Sequence, residues 1–214
     1  MKKITAITLL FIAITNSIFA QSEKYQEFMK KNIATVYTAA TTDDFQNAAN
    51  NFERIAVAEK EQWQPYYFAG YSLVMKAFFT KDKSQVDGIC DKADELIAIA
   101  ESLNNNNSEI TTLKAMVLQA RLSVDQSRGM TMGPKSSMLL QQALTQQPAN
   151  NPRTYTQLAQ TMYYTPTAFG GGKDVGIGML KKAMAAYETF KPASELDPNW
   201  GKEYAEGLLA QWSK

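Results

Sequence analysis

Small and large side chains recur at fixed helical distances along most of this 214-residue chain. Tyr155, Leu158, Ala159 and Met162 are spaced by three, one and three residues, and Tyr66, Ala69, Gly70 and Leu73 repeat that spacing. A second spacing, four and then three, joins Gly176, Leu180 and Ala183. It returns in Ala93, Ile97 and Ala100, in Ala48, Phe52 and Ile55, and in Ser136, Leu140 and Ala143. Residues three or four apart are neighbours on one face of an α-helix. A small residue lets a second helix approach closely, and large residues one turn away fill the space beside the contact. Neither helix of such a pair can bury its apolar stripe alone, so pairs must stack on their neighbours.

Punctuation supports the same reading. Pro65, Pro134, Pro148, Pro152, Pro166, Pro192 and Pro198 separate stretches rich in Ala, Leu, Met, Gln, Glu and Lys, which favour helix. Period-2 alternation of β-branched residues is missing, so no sheet is expected. The expected helices are 23–40, 43–60, 64–80, 84–103, 108–127, 134–147, 152–164, 173–189 and 199–213. Thr42 and Asp43, Ser108, Pro152 and the pair Asp197-Pro198 supply helix starts. "NNNN" at 104–107 reads as a polar surface connection.

At these residues the chain resembles the tetratricopeptide repeat (TPR) proteins, over most of residues 43–190. That family places an aromatic, a large, a small and a large residue on helix A, then small, aromatic and small residues and a closing proline on helix B. Pro148 follows Ala143 in this way. The chain departs from the family in the longer A–B separations around 80–88 and 126–134, and in having no tryptophan at the aromatic position. "YYTP", "FGGGKD" and "ETFKP" resemble the wide A–B turn of some exported bacterial members, and "DPNWGKEYAEGLL" resembles a Bacteroidetes-type one. The resemblance implies an all-α, right-handed α-solenoid of stacked antiparallel helix pairs, closed by a C-terminal capping helix.

The first twenty residues, "MKKITAITLLFIAITNSIFA", have the layout of a secretory signal peptide. Lys2 and Lys3 precede an apolar stretch, Ile7 to Ile14, that is too short to span a membrane. The expected mature chain, 21–214, is one helical domain in the periplasm or beyond, without a stable membrane span. It carries twenty basic and twenty-one acidic side chains, so nothing in its net charge favours nucleic acid or an anionic membrane surface. Cys90 is the only cysteine, which rules out an internal disulfide and suits a buried helical thiol. There is no histidine. Ser-His-Asp and Cys-His catalysis and imidazole-based metal sites are thereby excluded. No enzyme activity, cofactor or metal is expected.

Gly170, Gly171 and Gly172 run into Lys173 as in a phosphate-binding loop. That motif needs a first glycine where Thr167 stands, a hydroxyl where Asp174 stands, and a preceding strand. The expectation is instead a helix-to-helix turn, with Phe169 tucked beneath it as an anchor. "DKSQVDGICDKADE" (82–95) lacks the alternating ligands of a calcium loop because Val86 interrupts them, and it reads as a helix start.

The TPR resemblance also implies a concave groove lined by fixed places on each helix A. Those places hold Gln64, Tyr67, Tyr71, Val74 and Met75 in one repeat, and Glu109, Thr112, Met116, Gln119 and Ala120 in the next. In the last they hold Arg153, Thr156, Gln160, Tyr163 and Tyr164. Such a polar-aromatic surface with flexible methionines suits an extended peptide or a partner's helix. The leading expectation is therefore a non-catalytic adaptor of the cell envelope that binds a protein or peptide. The alternative is a carrier whose aromatic cavity passes a small molecule to a transporter. Oligomeric state is not legible.

Overall fold

A computed structural model describes residues 23–214, and the segment 1–20, expected to be a signal peptide, lies outside them. Nine helices and no strand occur among the described residues. They are α1 (23–37), α2 (Thr42–Ala58), α3 (Trp63–Phe79), α4 (Val86–Leu103), α5 (Ser108–Leu122), α6 (Gly129–Ala143), α7 (Pro152–Tyr164), α8 (Lys173–Thr189) and α9 (Lys202–Trp212). Each packs on its sequence neighbours, giving a stack of helix pairs. α5 also touches α3 on one side and α7 on the other along the stack.

Burial distinguishes two kinds of helix. α4 and α8 each bury one stripe, Val86, Cys90, Ala93, Ile97 and Ala100 in the first and Gly176, Leu180, Ala183 and Ala186 in the second. α3 and α5 are buried around most of their circumference, because each packs against its own partner and against the next pair. The close approach falls at Gly70, where a Cβ would stand 2.8 Å from Ile97 Cγ1 on α4. Cys90 is fully buried in α4, and burial pushes its thiol up to about 11.

Caps set the boundaries. Thr41 and Asp44 form a reciprocal capping box on α2, and the side chains of Asn107 and Asn151 cap α5 and α7. α5 ends at Leu122 rather than near 127, where Asp125 turns the chain by accepting from Ser127 N–H at 2.8 Å. α6 begins at Gly129 and runs through Pro134, five residues earlier than the proline suggested. α9 begins at Lys202, because Gly201 adopts φ 97° in front of it.

The glycine loop is a turn. Gly170 and Gly172 have φ of 80° and 123°. Their amides close on the chain itself: Gly172 N–H donates to Met162 O at 2.9 Å and Gly170 N–H to Thr167 O at 3.0 Å. These donors are thus spent within the turn and on the end of α7 rather than turned toward a phosphate. Phe169 is not the expected anchor, since it is 70% exposed.

Candidate functional site

Three places gather aromatic or charged side chains, and they differ in what is left free. The first is the inner face of α3, α5 and α7. Gln64, Glu109 and Arg153 occupy the second position of these three helices. Arg153 and Glu109 are fully buried and form a two-point ion pair, with Arg153 Nε donating to Glu109 Oε2 at 2.8 Å and Nη2 donating to Oε1. Burial opposes the charge on Arg153, but Glu109 more than offsets this and the guanidinium is raised above its ordinary value. The Phe190 ring lies 4.4 Å from the guanidinium carbon.

The segment 190–201, between α8 and α9, crosses this face as a strap. Trp200 lies against Tyr71 with ring centroids 4.9 Å apart, and its indole N–H donates to Tyr67 Oη at 3.1 Å. The Trp200 carbonyl accepts from Arg153 Nη1 at 3.4 Å and from the Tyr187 hydroxyl at 3.3 Å. Gln64 Nε2 donates to Asp197 Oδ1 at 3.1 Å. Asn199 N–H donates to Tyr37 Oη at 3.0 Å, and Lys30 pairs with Glu195, which binds the strap to α1. Burial raises the hydroxyls of Tyr67 and Tyr71 and pushes Tyr37 up to about 12.

The second place is the C-terminal end. Tyr163 stacks on Trp212 at 3.9 Å, Tyr164 meets Tyr163 edge-on, and the Tyr204 hydroxyl donates to Gln160 Oε1 at 2.7 Å. Of the residues expected to line one groove, Gln64, Tyr67, Tyr71 and Arg153 therefore gather under the strap. Gln160, Tyr163 and Tyr164 gather at α9. Met116 is buried and Met75 partly so within the main core, and Gln119 Nε2 donates to Thr161 Oγ1 at 3.1 Å.

The third place is a cleft of about 780 Å³ between α1 and α2, at the end of the stack opposite α9. Its walls are Lys24, Tyr25, Phe28, Lys31 and Asn32 from α1 and Asn51, Arg54, Ile55, Ala58 and Glu59 from α2 and its C-cap. On α1 the core stripe is Met29, Ile33 and Val36, and the cleft residues lie on the adjoining face. Phe28 is 53% exposed and adds an aromatic face to the wall. Tyr25 Oη is buried and has no hydrogen-bond partner among the described residues, and burial raises its titration, with Glu59 and Asp197 adding to it. A second hollow, of about 650 Å³, mixes Asp43 and Asp82 with Lys76 and Lys81 and offers no net sign of charge.

Of the cleft residues only Ile55 was singled out by sequence, and then as a packing position. The signal available was Lys24, Phe28 and Lys31 at positions i, i+4 and i+7 on the first helix of the stack, where a terminal pair ordinarily turns a polar face outward.

The solved haemophore HusA from Porphyromonas gingivalis is 35% identical to this chain, with a TM-score of 0.80, over 88% of this chain and 92% of that one. The chain belongs to the HusA haemophore family. TTC0263, a thermophilic TPR protein from Thermus thermophilus, shares the fold at a TM-score of 0.55 and 15% identity, over 79% of this chain and 73% of that one. The TPR-like architecture is therefore correct. No family model and no curated protein matches.

Membership of a haemophore family overturns the adaptor reading and favours the alternative, a small-molecule carrier. The physical reason lies at the inner face. Its central residues are occupied by the chain's own strap, which holds the place a partner peptide was expected to take.

Proposed function

We propose that this protein is an exported carrier that binds haem or a closely similar tetrapyrrole, and that the α1–α2 cleft holds it. The observation that carries this reading is the 35% identity to a haemophore across nearly the whole of both chains. The cleft adds a place of suitable kind: it falls within the roughly 300–1,000 Å³ typical of small-ligand sites, with Tyr25, Phe28, Ile55 and Ala58 offering apolar surface. With no histidine in the chain, the lining supplies ring faces and cations rather than an imidazole for iron. Haem would be cargo here, held by its macrocycle. No described helix is long and apolar enough to cross a membrane, and the signal-like segment 1–20 supports export.

The test is a titration of residues 21–214 with haem, followed by absorbance of the porphyrin and by melting temperature. A saturable one-to-one spectral change with a rise in melting temperature is expected. Unchanged spectra and melting at saturating haem would remove the carrier reading.

A further inference from the structure

We infer that the α1–α2 cleft selects its cargo by carboxylates, taking a flat apolar dicarboxylate as the free acid in preference to its ester. This rests on the carrier reading and adds a ligand chemistry to it. Lys24 and Lys31 stand seven residues apart on α1, about 10.5 Å along the helix axis. Phe28 lies between them on the same side, so an aromatic surface is flanked by two cations. Arg54 faces them from α2, where it donates to Asn51 Oδ1 at 3.3 Å.

None of these three cations forms a salt bridge among the described residues, whereas the adjacent Lys30, which faces the strap, is paired with Glu195. Glu59 is the single acid in the described lining. The expected mature chain is close to neutral, so this excess of positive charge is local to the cleft. Cations at the rim of an apolar recess attract anionic groups more strongly than they would in open solvent, because the ligand body displaces water between them. A planar apolar body with two carboxylates meets all of these features together: its face lies on Phe28 and Ile55, and its acids reach Lys24, Lys31 and Arg54.

The experiment compares mesoporphyrin with its dimethyl ester, titrated into residues 21–214 under one buffer and followed by absorbance. Wild type should bind the free acid at least about tenfold more tightly than the ester. The double substitution Lys24→Gln and Lys31→Gln should bring the two to near parity by weakening the acid alone, and Arg54→Gln should do so in part. About 0.5 M salt should have the same selective effect. Lys30→Gln, a charge loss outside the cleft, should leave the ratio unchanged. Equal wild-type affinity for acid and ester would overturn the carboxylate selection while leaving the carrier intact, as would cleft variants that weaken both ligands alike. Failure of wild type to bind either compound would remove the carrier reading and this inference with it.

Discussion

The inner face and the α1–α2 cleft are built from the same kinds of residue, tyrosines and basic side chains beside apolar surface, yet they end in opposite states. At the inner face Arg153 has Glu109, Tyr67 has Trp200, and Tyr71 has a ring against it. In the cleft Lys24 and Lys31 have no ion-pair partner among the described residues, and Phe28 is left half uncovered. The difference teaches that composition locates places where a ligand could bind, whereas satisfaction decides which of them is open. A surface whose polar groups are already matched within the chain gains little from a newcomer.

Substitutions at the two places should therefore separate stability from binding. The largest effect is expected at Glu109→Gln, which leaves the Arg153 guanidinium buried without its counter-charge. Breaking one side of such a pair costs about 3–5 kcal/mol. Urea unfolding should register the loss, while haem affinity per folded molecule stays near wild type. A large fall in affinity at unchanged stability would show that the inner face, and not the cleft, meets the ligand.

Phe28→Asp should give the reverse pattern. The ring is more than half exposed, so stability should move by less than about 1 kcal/mol, whereas an acid placed between Lys24 and Lys31 should weaken haem binding by about tenfold or more. Undiminished affinity would break the assignment of the cleft.

The smallest effect sharpens the contrast by testing a charge that is paired but exposed. Arg128 holds Asp87 through two hydrogen bonds, 2.7 and 2.8 Å, and this keeps the Asp87 carboxyl below its ordinary value against a smaller opposing effect of burial. The folded-state value is depressed, so the pair's contribution is present above about pH 4 and is lost as pH falls below it. Solvent screening keeps it small. Asp87→Asn should lower the melting temperature slightly at pH 7 and by less at pH 3. An equal loss at both values would mean the side chain acts through packing and not charge.

Much of the helical architecture was legible because its causes are local. The small-to-large spacing placed Gly70 against Ile97, and Ser108 and Pro152 marked helix starts that hold in the folded chain. Even the repeat register was readable, since Gln64, Glu109 and Arg153 share one position in the alternate helices α3, α5 and α7. What the sequence concealed depends on distance. Trp200 meets Tyr67 across 133 residues and Asn199 meets Tyr37 across 162, and no local pattern announces such partners. The stretch "KPASELDPNW" has the prolines of a linker, and its covering role emerges only when α3 and α7 are brought beneath it. The cleft escaped notice for a related reason: being the end of the stack, it has no repeating counterpart from which a register could be carried over.

The strap has a consequence for how the molecule comes apart. In an open row of helix pairs each unit contacts only its neighbours, and the ends fray first. Here one peptide segment bonds to α1, α3 and α7 before it enters α9, so the first and last units of the row are tied into a circuit. Neither end is then a free end. Such a molecule should lose its helices in a single concerted step, and form them slowly, because contacts so far apart along the chain must close before the row is complete.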